Sequence, residues 1–374
     1  LPHSSSLRFG EAAGTLLDRA FDARDRHRPS VPLPRIGIFG NGFPETLVAA
    51  AGGLPVHLSM GRLRRTTAID EFIEPFVDEE VRVFLNRLMN GEFADCLGII
   101  FARDDAPALV AYQYTSEWVR QGRAPKSVPP LFLWNLVHTA TPAVMHFNAL
   151  QAEKLFDFFE RIGLRRPSDE AIAEAAAAEA GRRQALERLE TAGLSGTTAM
   201  RWRNAGRFMS ATEHADLLNA ALVDTKRTAQ KGMRIGLIGS SLASTASYEV
   251  FERFGTIVCD WQPWGAVWPG PGNGNATLPE ILRATAADPS CPRITPTTAY
   301  RNALLQALAN ARCDLVLCQL APTDDTFGWE IPALASSLER RAIAFINLGF
   351  RDTDPETWHA RAAALISAKL EARK

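Results

Sequence analysis

Several short segments of this sequence carry side chains able to do chemistry. Two aspartate pairs, Asp104-Asp105 and Asp324-Asp325, each follow closely on an expected strand, one ending at Phe101 and one ending near Leu320. Paired carboxylates of this kind hold a hard cation or move protons. Loop acids also cap the helix that follows, and either use suits both pairs. Gly239-Ser240-Ser241 follows the run Arg234 to Ile238, where backbone amides and hydroxyls can receive a phosphate or carboxylate at a helix start. Gly40-Asn41-Gly42, ahead of Pro44-Glu45, stands at the equivalent place in the first half, where a tight turn requiring glycine is an equal reading. Trp261, Trp264 and Trp268 share one Gly/Pro-rich loop and could stack on a planar ligand, cover a partner or pack the loop down.

Other chemistries find no support. The sequence has no G-x-G-x-x-G, no P-loop and no Cys-x-x-Cys, and Ser240 and Ser241 lack the G-x-S-x-G setting of a hydrolase nucleophile. His138 and His146 are not spaced as a zinc pair. Cys259 and Cys318 fall inside expected strands and read as small buried hydrophobes.

The elements that must position these groups alternate. Strands are expected at 35–39, 54–58, 97–101 and 130–134, with helices at 44–51, 68–90 and 107–121 between them. From 146 to about 231 strand signals vanish and helices take over, one of them capped by Ser168. The alternation restarts with strands at 234–238, 256–260, 314–318 and 342–347 and a closing helix at 355–370. Such a rhythm implies parallel sheets covered on both faces, in two matching lobes. The expected division is an N-terminal extension at 1–34 that wraps the surface, a first lobe at 35–145, a helical segment at 146–231 and a second lobe at 232–374.

Composition bounds the partners. In 374 residues, 46% hydrophobic and 22% charged, there is material for more than one core. A net charge of -1 does not suggest nucleic acid, and no apolar run approaches a membrane span. Five cysteines without a framework spacing, and no apolar leader segment, point to a reducing, cytoplasmic setting.

The segment Phe43-Pro-Glu-Thr-Leu-Val-Ala-Ala-Ala-Gly-Gly-Leu-Pro-Val56 resembles the first motif of the 2-hydroxyacyl-CoA dehydratase and benzoyl-CoA reductase group. Ser168 to Arg183, Arg234 to Ser240 with Tyr248 to Val258, and Asp314 to Pro332 resemble its later motifs, in order. The resemblance implies an α/β protein of two Rossmann-like lobes with an intervening helical segment, and a homologous second subunit. It also implies an iron-sulfur cluster on cysteines, an ATP-dependent activator protein and a CoA thioester substrate.

The chain departs from the group where the cluster would sit. Gly40, Asp104 or Asp105, Pro263 or Trp264, and Asp324-Asp325 stand at the places of the expected cysteines. Carboxylates are poor substitutes for thiolate at iron, so no cofactor or metal is assigned. Glu45, Asp104, Asp105, Asp324 and Asp325 are the candidate catalytic residues, and Asn41, Ser240, Ser241 and Trp264 the candidate substrate-binding ones. Three functions are consistent with this pattern. One is a cluster-less subunit beside a cysteine-bearing homologue, although a homodimer is also open. Another is a divergent binder of a CoA ester or other small molecule, with a carboxylate-bound divalent ion. The third is a non-catalytic assembly protein.

Overall fold

The computed structural model describes residues 3–60, 65–104, 106–139, 141–223, 232–265, 274–291, 293–324 and 326–372, with side chains from Ala12 onward. The chain opens with α1 (His3–Ala23). The first lobe then runs β1 (Arg35–Phe39), α2 (Thr46–Ala50), β2 (Leu54–His57), α3 (Glu79–Met89), β3 (Cys96–Ala102), α4 (Ala106–Arg120) and β4 (Leu131–Trp134). The helical segment comprises α5 (Pro142–Arg161), α6 (Asp169–Thr191), α7 (Gly196–Ala205) and α8 (Ala211–Val223). The second lobe follows as β5 (Met233–Gly239), α9 (Thr245–Phe251), β6 (Gly255–Trp261), α10 (Leu278–Ala286) and α11 (Thr297–Asn310). It closes with β7 (Leu315–Leu320), α12 (Ile331–Glu339), β8 (Ala344–Phe350) and α13 (Pro355–Glu371).

Among the described residues the strands form two four-stranded parallel sheets with orders β2-β1-β3-β4 and β6-β5-β7-β8. The two orders are the same permutation, so the fold is an α/β arrangement of two matching lobes. Parallel strands need crossovers and both faces covered, and the strands are correspondingly apolar: every residue of β1, β2 and β7 is buried. Because all strands in a sheet run the same way, their carboxyl edges gather the loops after β1, β3, β5, β6 and β7, where the candidate residues lie.

Two segments differ from the sequence reading. The N-terminal stretch does not simply wrap the surface: α1 buries Ala13, Leu17, Ala20 and Phe21 in the main core against α7 and α8. Their i, i+4, i+7, i+8 spacing is a helical stripe that the surrounding arginines obscure. Arg201 ties the helix down, donating to Asp18 (2.7 Å) and Asp22 (2.9 Å). The single helix expected over 68–90 is also broken, into a 3-10 turn at Ala68–Phe72 and α3. Pro75 disfavours helix at its own position and at Glu74, and the Asp78 side chain then caps the new start by accepting from Glu80 N (2.8 Å). Among the described residues no helix is long and apolar enough to cross a membrane.

Candidate functional site

At the edge of the first sheet, the turn after β1 is built around the next strand's aspartate. Asp104, two residues beyond β3, accepts from Asn41 N (3.0 Å) and lies against the glycines of that turn. A Cβ on Gly40 would stand 2.8 Å from Asp104 Oδ1 and from the Ala102 carbonyl, and one on Gly42 would stand 2.5 Å from the Asp104 Cβ. Gly40 also has φ +97°, a conformation side chains resist. Asp104 therefore fills the volume that side chains at 40 and 42 would take. Burial pushes its carboxyl up to about 6 against the pull of the backbone N–H groups, and Oδ1 has no hydrogen-bond partner among the described residues. A carboxyl so placed can hold or accept a proton near neutral pH. Asp105 lies outside the described residues.

Behind this edge runs a buried polar network that spans both lobes and the helical segment. Glu45, at the start of α2, accepts from His57 Nε2 (2.7 Å) at the end of β2 and from Arg182 (2.8 Å) on α6. Arg182 also pairs with Glu179 one turn earlier (2.5 Å). Burial alone would raise the Glu45 carboxyl, but Arg182 and His57 more than offset it and hold it well below the usual range. Burial and the nearby Arg207 keep His57 neutral, so Nε2 carries the proton given to Glu45 and Nδ1 faces Arg207 (3.5 Å). The Arg207 guanidinium, pushed down to about 9 chiefly by burial, donates to Asn41 Oδ1 (2.9 Å), Asn204 Oδ1 (2.8 Å) and the Pro263 carbonyl (3.2 Å).

The second lobe completes the network. Trp264 is 1% exposed, with the Arg207 guanidinium 4.4 Å over its ring and the His57 ring edge-on at 6.1 Å. Its carbonyl accepts from Asn204 (2.9 Å) and its N–H donates to Gln262 Oε1 (3.1 Å). Gln262 donates to Tyr248 Oη, which donates to Asp260 (both 2.8 Å), and Asp260 also meets Arg203 (3.2 Å). Of the three roles open to the tryptophans, Trp264 takes the packing one. Trp268 lies outside the described residues.

At the edge of the second sheet, Ser240 Oγ donates to Asp324 Oδ2 (2.6 Å) and accepts from Ala321 N (2.8 Å). Asp324 Oδ1 accepts from Gly328 N (3.0 Å) and Thr326 N (3.2 Å), so this carboxylate stitches the β5 and β7 loops and caps the turn at Phe327–Glu330. The Ser241 carbonyl accepts from Arg351 (2.8 Å). Asp325 lies outside the described residues. The candidates thus separate into Asn41, Glu45 and Trp264, joined through Arg207 and His57, with Asp104 adjoining at Asn41, and a Ser240–Asp324 pair on the other sheet.

The sequence profile of the 2-hydroxyglutaryl-CoA dehydratase D-component family matches residues 41–368 of the 374. The chain belongs to this family. No curated protein matches it as a relative. A D-component is by its description one part of a multi-component dehydratase, and this one is a dehydratase-type subunit.

The family is associated with iron-sulfur clusters, and this D-component's residues do not fit one. Cys96 starts β3 at the edge opposite the candidate residues, Cys259 and Cys318 lie within strands, Cys313 precedes β7, and Cys291 follows α10. Cys96, Cys259, Cys313 and Cys318 do not stand at the carboxyl edge, and the described residues hold no group of three His, Cys, Asp or Glu side chains able to share a metal. Where thiols would be needed, Asp104 closes over Gly40, and Trp264 is sealed beneath Arg207.

The residues that sequence reading missed are the buried basic ones, Arg182, Arg203 and Arg207, with His57, Tyr248 and Asp260. Charged side chains on a helical segment read as solvated surface, and only their distant partners show otherwise. Thr277-Leu-Pro-Glu280 is a local signal of helix that the strand-and-turn pattern around it hides: it is a capping box with proline in the first turn, and it starts α10.

Proposed function

We propose that this D-component is the cluster-less partner of a cysteine-bearing homologous subunit, in a 2-hydroxyacyl-CoA dehydratase-like assembly acting on a CoA thioester. The observation that carries this reading is the closed packing of Asp104 on Gly40 and Gly42 and of Trp264 under Arg207, at the strand ends where cluster thiolates are expected. A side-chain-filled edge has no room for a metal-sulfur core, yet the two-lobed scaffold that would face a second subunit is complete. In this reading the chain contributes architecture: Arg207 and Asn204 hold the loop after β6 against the first lobe, and Asp324 fixes the loops after β5 and β7.

The test is anaerobic purification of the chain alone and co-expressed with a cysteine-bearing homologue from the same genome, followed by iron and acid-labile sulfide analysis. The expected result is a stable one-to-one complex carrying about four irons per pair, all lost when the homologue's cysteines are replaced, and none in the chain alone. Iron and sulfide near that level in the isolated chain would overturn the proposal, as would a homodimer that does not exchange with the homologue.

A further inference from the structure

The second lobe contains a thiol pair that the site above does not use. Cys259 lies on β6 and Cys313 just ahead of β7, on opposite sides of the central strand β5. Their meeting depends on two local features. The β5–β6 pairing shifts register between Ile235 and Gly236, so that Gly236 stands opposite Cys259 rather than Val258. A bulge of this kind re-aims the side chains beyond it by one position. Gly236 itself has no side chain, and a Cβ there would lie 3.1 Å from Cys313 Sγ. Leu308 Cδ2 comes closer still to that position, so the missing side chain at Gly236 makes room for Leu308 and the Cys313 sulfur beside the strand position of Cys259, and the two thiols perturb each other's titration.

We infer that Cys259 and Cys313 form a dithiol modification site that closes reversibly to a disulfide on reaction with a two-electron oxidant of the peroxide class. The Cys313 sulfur attacks one peroxide oxygen, the O–O bond breaks, and a sulfenic acid forms with release of the first water. The Cys259 sulfur then displaces the hydroxyl as the second water, so two thiols and one peroxide give one disulfide and two waters. The order follows from the surroundings. The neighbouring Cys259 thiol holds the Cys313 thiol below its ordinary value, aided by Arg234, whereas the same contact, with burial, raises Cys259. Cys313 is buried but lies between exposed Arg312 and Asp314, and Cys259 beside it is partly exposed, so a small oxidant such as peroxide needs only a local opening to reach the pair. Cys96 and Cys318 do not compete as acid thiols, since burial pushes both up to about 12.

The experiment treats the folded full chain with hydrogen peroxide, quenches it, and alkylates with N-ethylmaleimide under denaturing conditions before intact-mass and peptide analysis. Five cysteines are available. The expected result is loss of two alkylation sites, a linked peptide pair containing Cys259 and Cys313, and recovery of both sites with dithiothreitol. C259S and C313S should each abolish the link. The same treatment in urea, where the register is lost, should give no preference for this pair. Full alkylation after peroxide, a preferred link between other cysteines, or oxygen addition without a link would each overturn the inference.

Discussion

Replacing Glu45 by glutamine tests whether the buried network fastens the two lobes through its charge. The Glu45 carboxylate receives two charge-assisted hydrogen bonds, 2.7 Å from His57 and 2.8 Å from Arg182, and those partners are only 2% and 1% exposed. Bonds of this kind are worth about 1.5–3 kcal/mol each, and water cannot enter to replace them. An amide has a single oxygen, so one of the two donors would face an N–H group. The Arg182 charge would be left with Glu179, which burial biases towards its neutral form. E45Q should therefore lose about 3–5 kcal/mol at pH 7, some two to three and a half decades in the unfolding constant, measured by urea denaturation. Because the folded-state carboxyl lies below its ordinary value of 4.5, the difference from wild type should be complete above that pH. It should fade as acid protonates the unfolded chain and then the folded one. E45Q/R182M should lose less than the sum of the single variants by at least ~1 kcal/mol, since the second change removes the stranded charge. A loss below ~1 kcal/mol in E45Q, or strict additivity in the double variant, would refute the reasoning.

Three other outcomes follow from single contacts. Asp104 has its carboxyl raised from 3.8 to about 6, so its charge opposes folding fully above pH 6 and not at all below its unfolded value. D104N should be the more stable protein at pH 8, by up to about 3 kcal/mol less whatever the Asn41 N–H bond loses, with the gain gone by pH 4, read from melting temperatures across that range. G40C should lower stability by at least ~1–3 kcal/mol without conferring iron binding, because the side chain meets Asp104 and the backbone is at φ +97°. Denaturation and metal analysis of the same preparation check both. L17A, removing a fully buried side chain of α1, should lose about 2–5 kcal/mol in urea denaturation, whereas a surface-wrapping segment would lose almost nothing.

The sheets were the legible part of this chain. Arg35 to Phe39, and the apolar runs ending at Phe101 and Trp134, announce buried parallel strands by composition alone, and the structure places β1, β3 and β4 within a residue or two of them. Ser168 was readable as a cap because capping is local, and its side chain accepts from Ala171 N (3.2 Å). The site was legible only as a set of loops. Which side chains fill the space between those loops depends on pairings such as Arg207 with Asn41, 166 residues apart, and no local pattern reports them. Asp104 and Asp324 look alike in sequence, yet one is a buried carboxyl with an unsatisfied oxygen and the other a carboxylate whose three hydrogen bonds link two loops. The α1 stripe was hidden for a different reason: arginines flank its apolar positions, so composition argued for surface where periodicity argued for core.

The docking of α1 also sets a timetable for biosynthesis. Its apolar face is covered by α7 and α8, and the Asp18–Arg201 pairing spans 183 residues of chain. At about 5–20 residues per second the ribosome delivers that partner some 10–40 s after α1 emerges. Through that interval the first lobe can form while Leu17 and Phe21 still lack the helices that cover them.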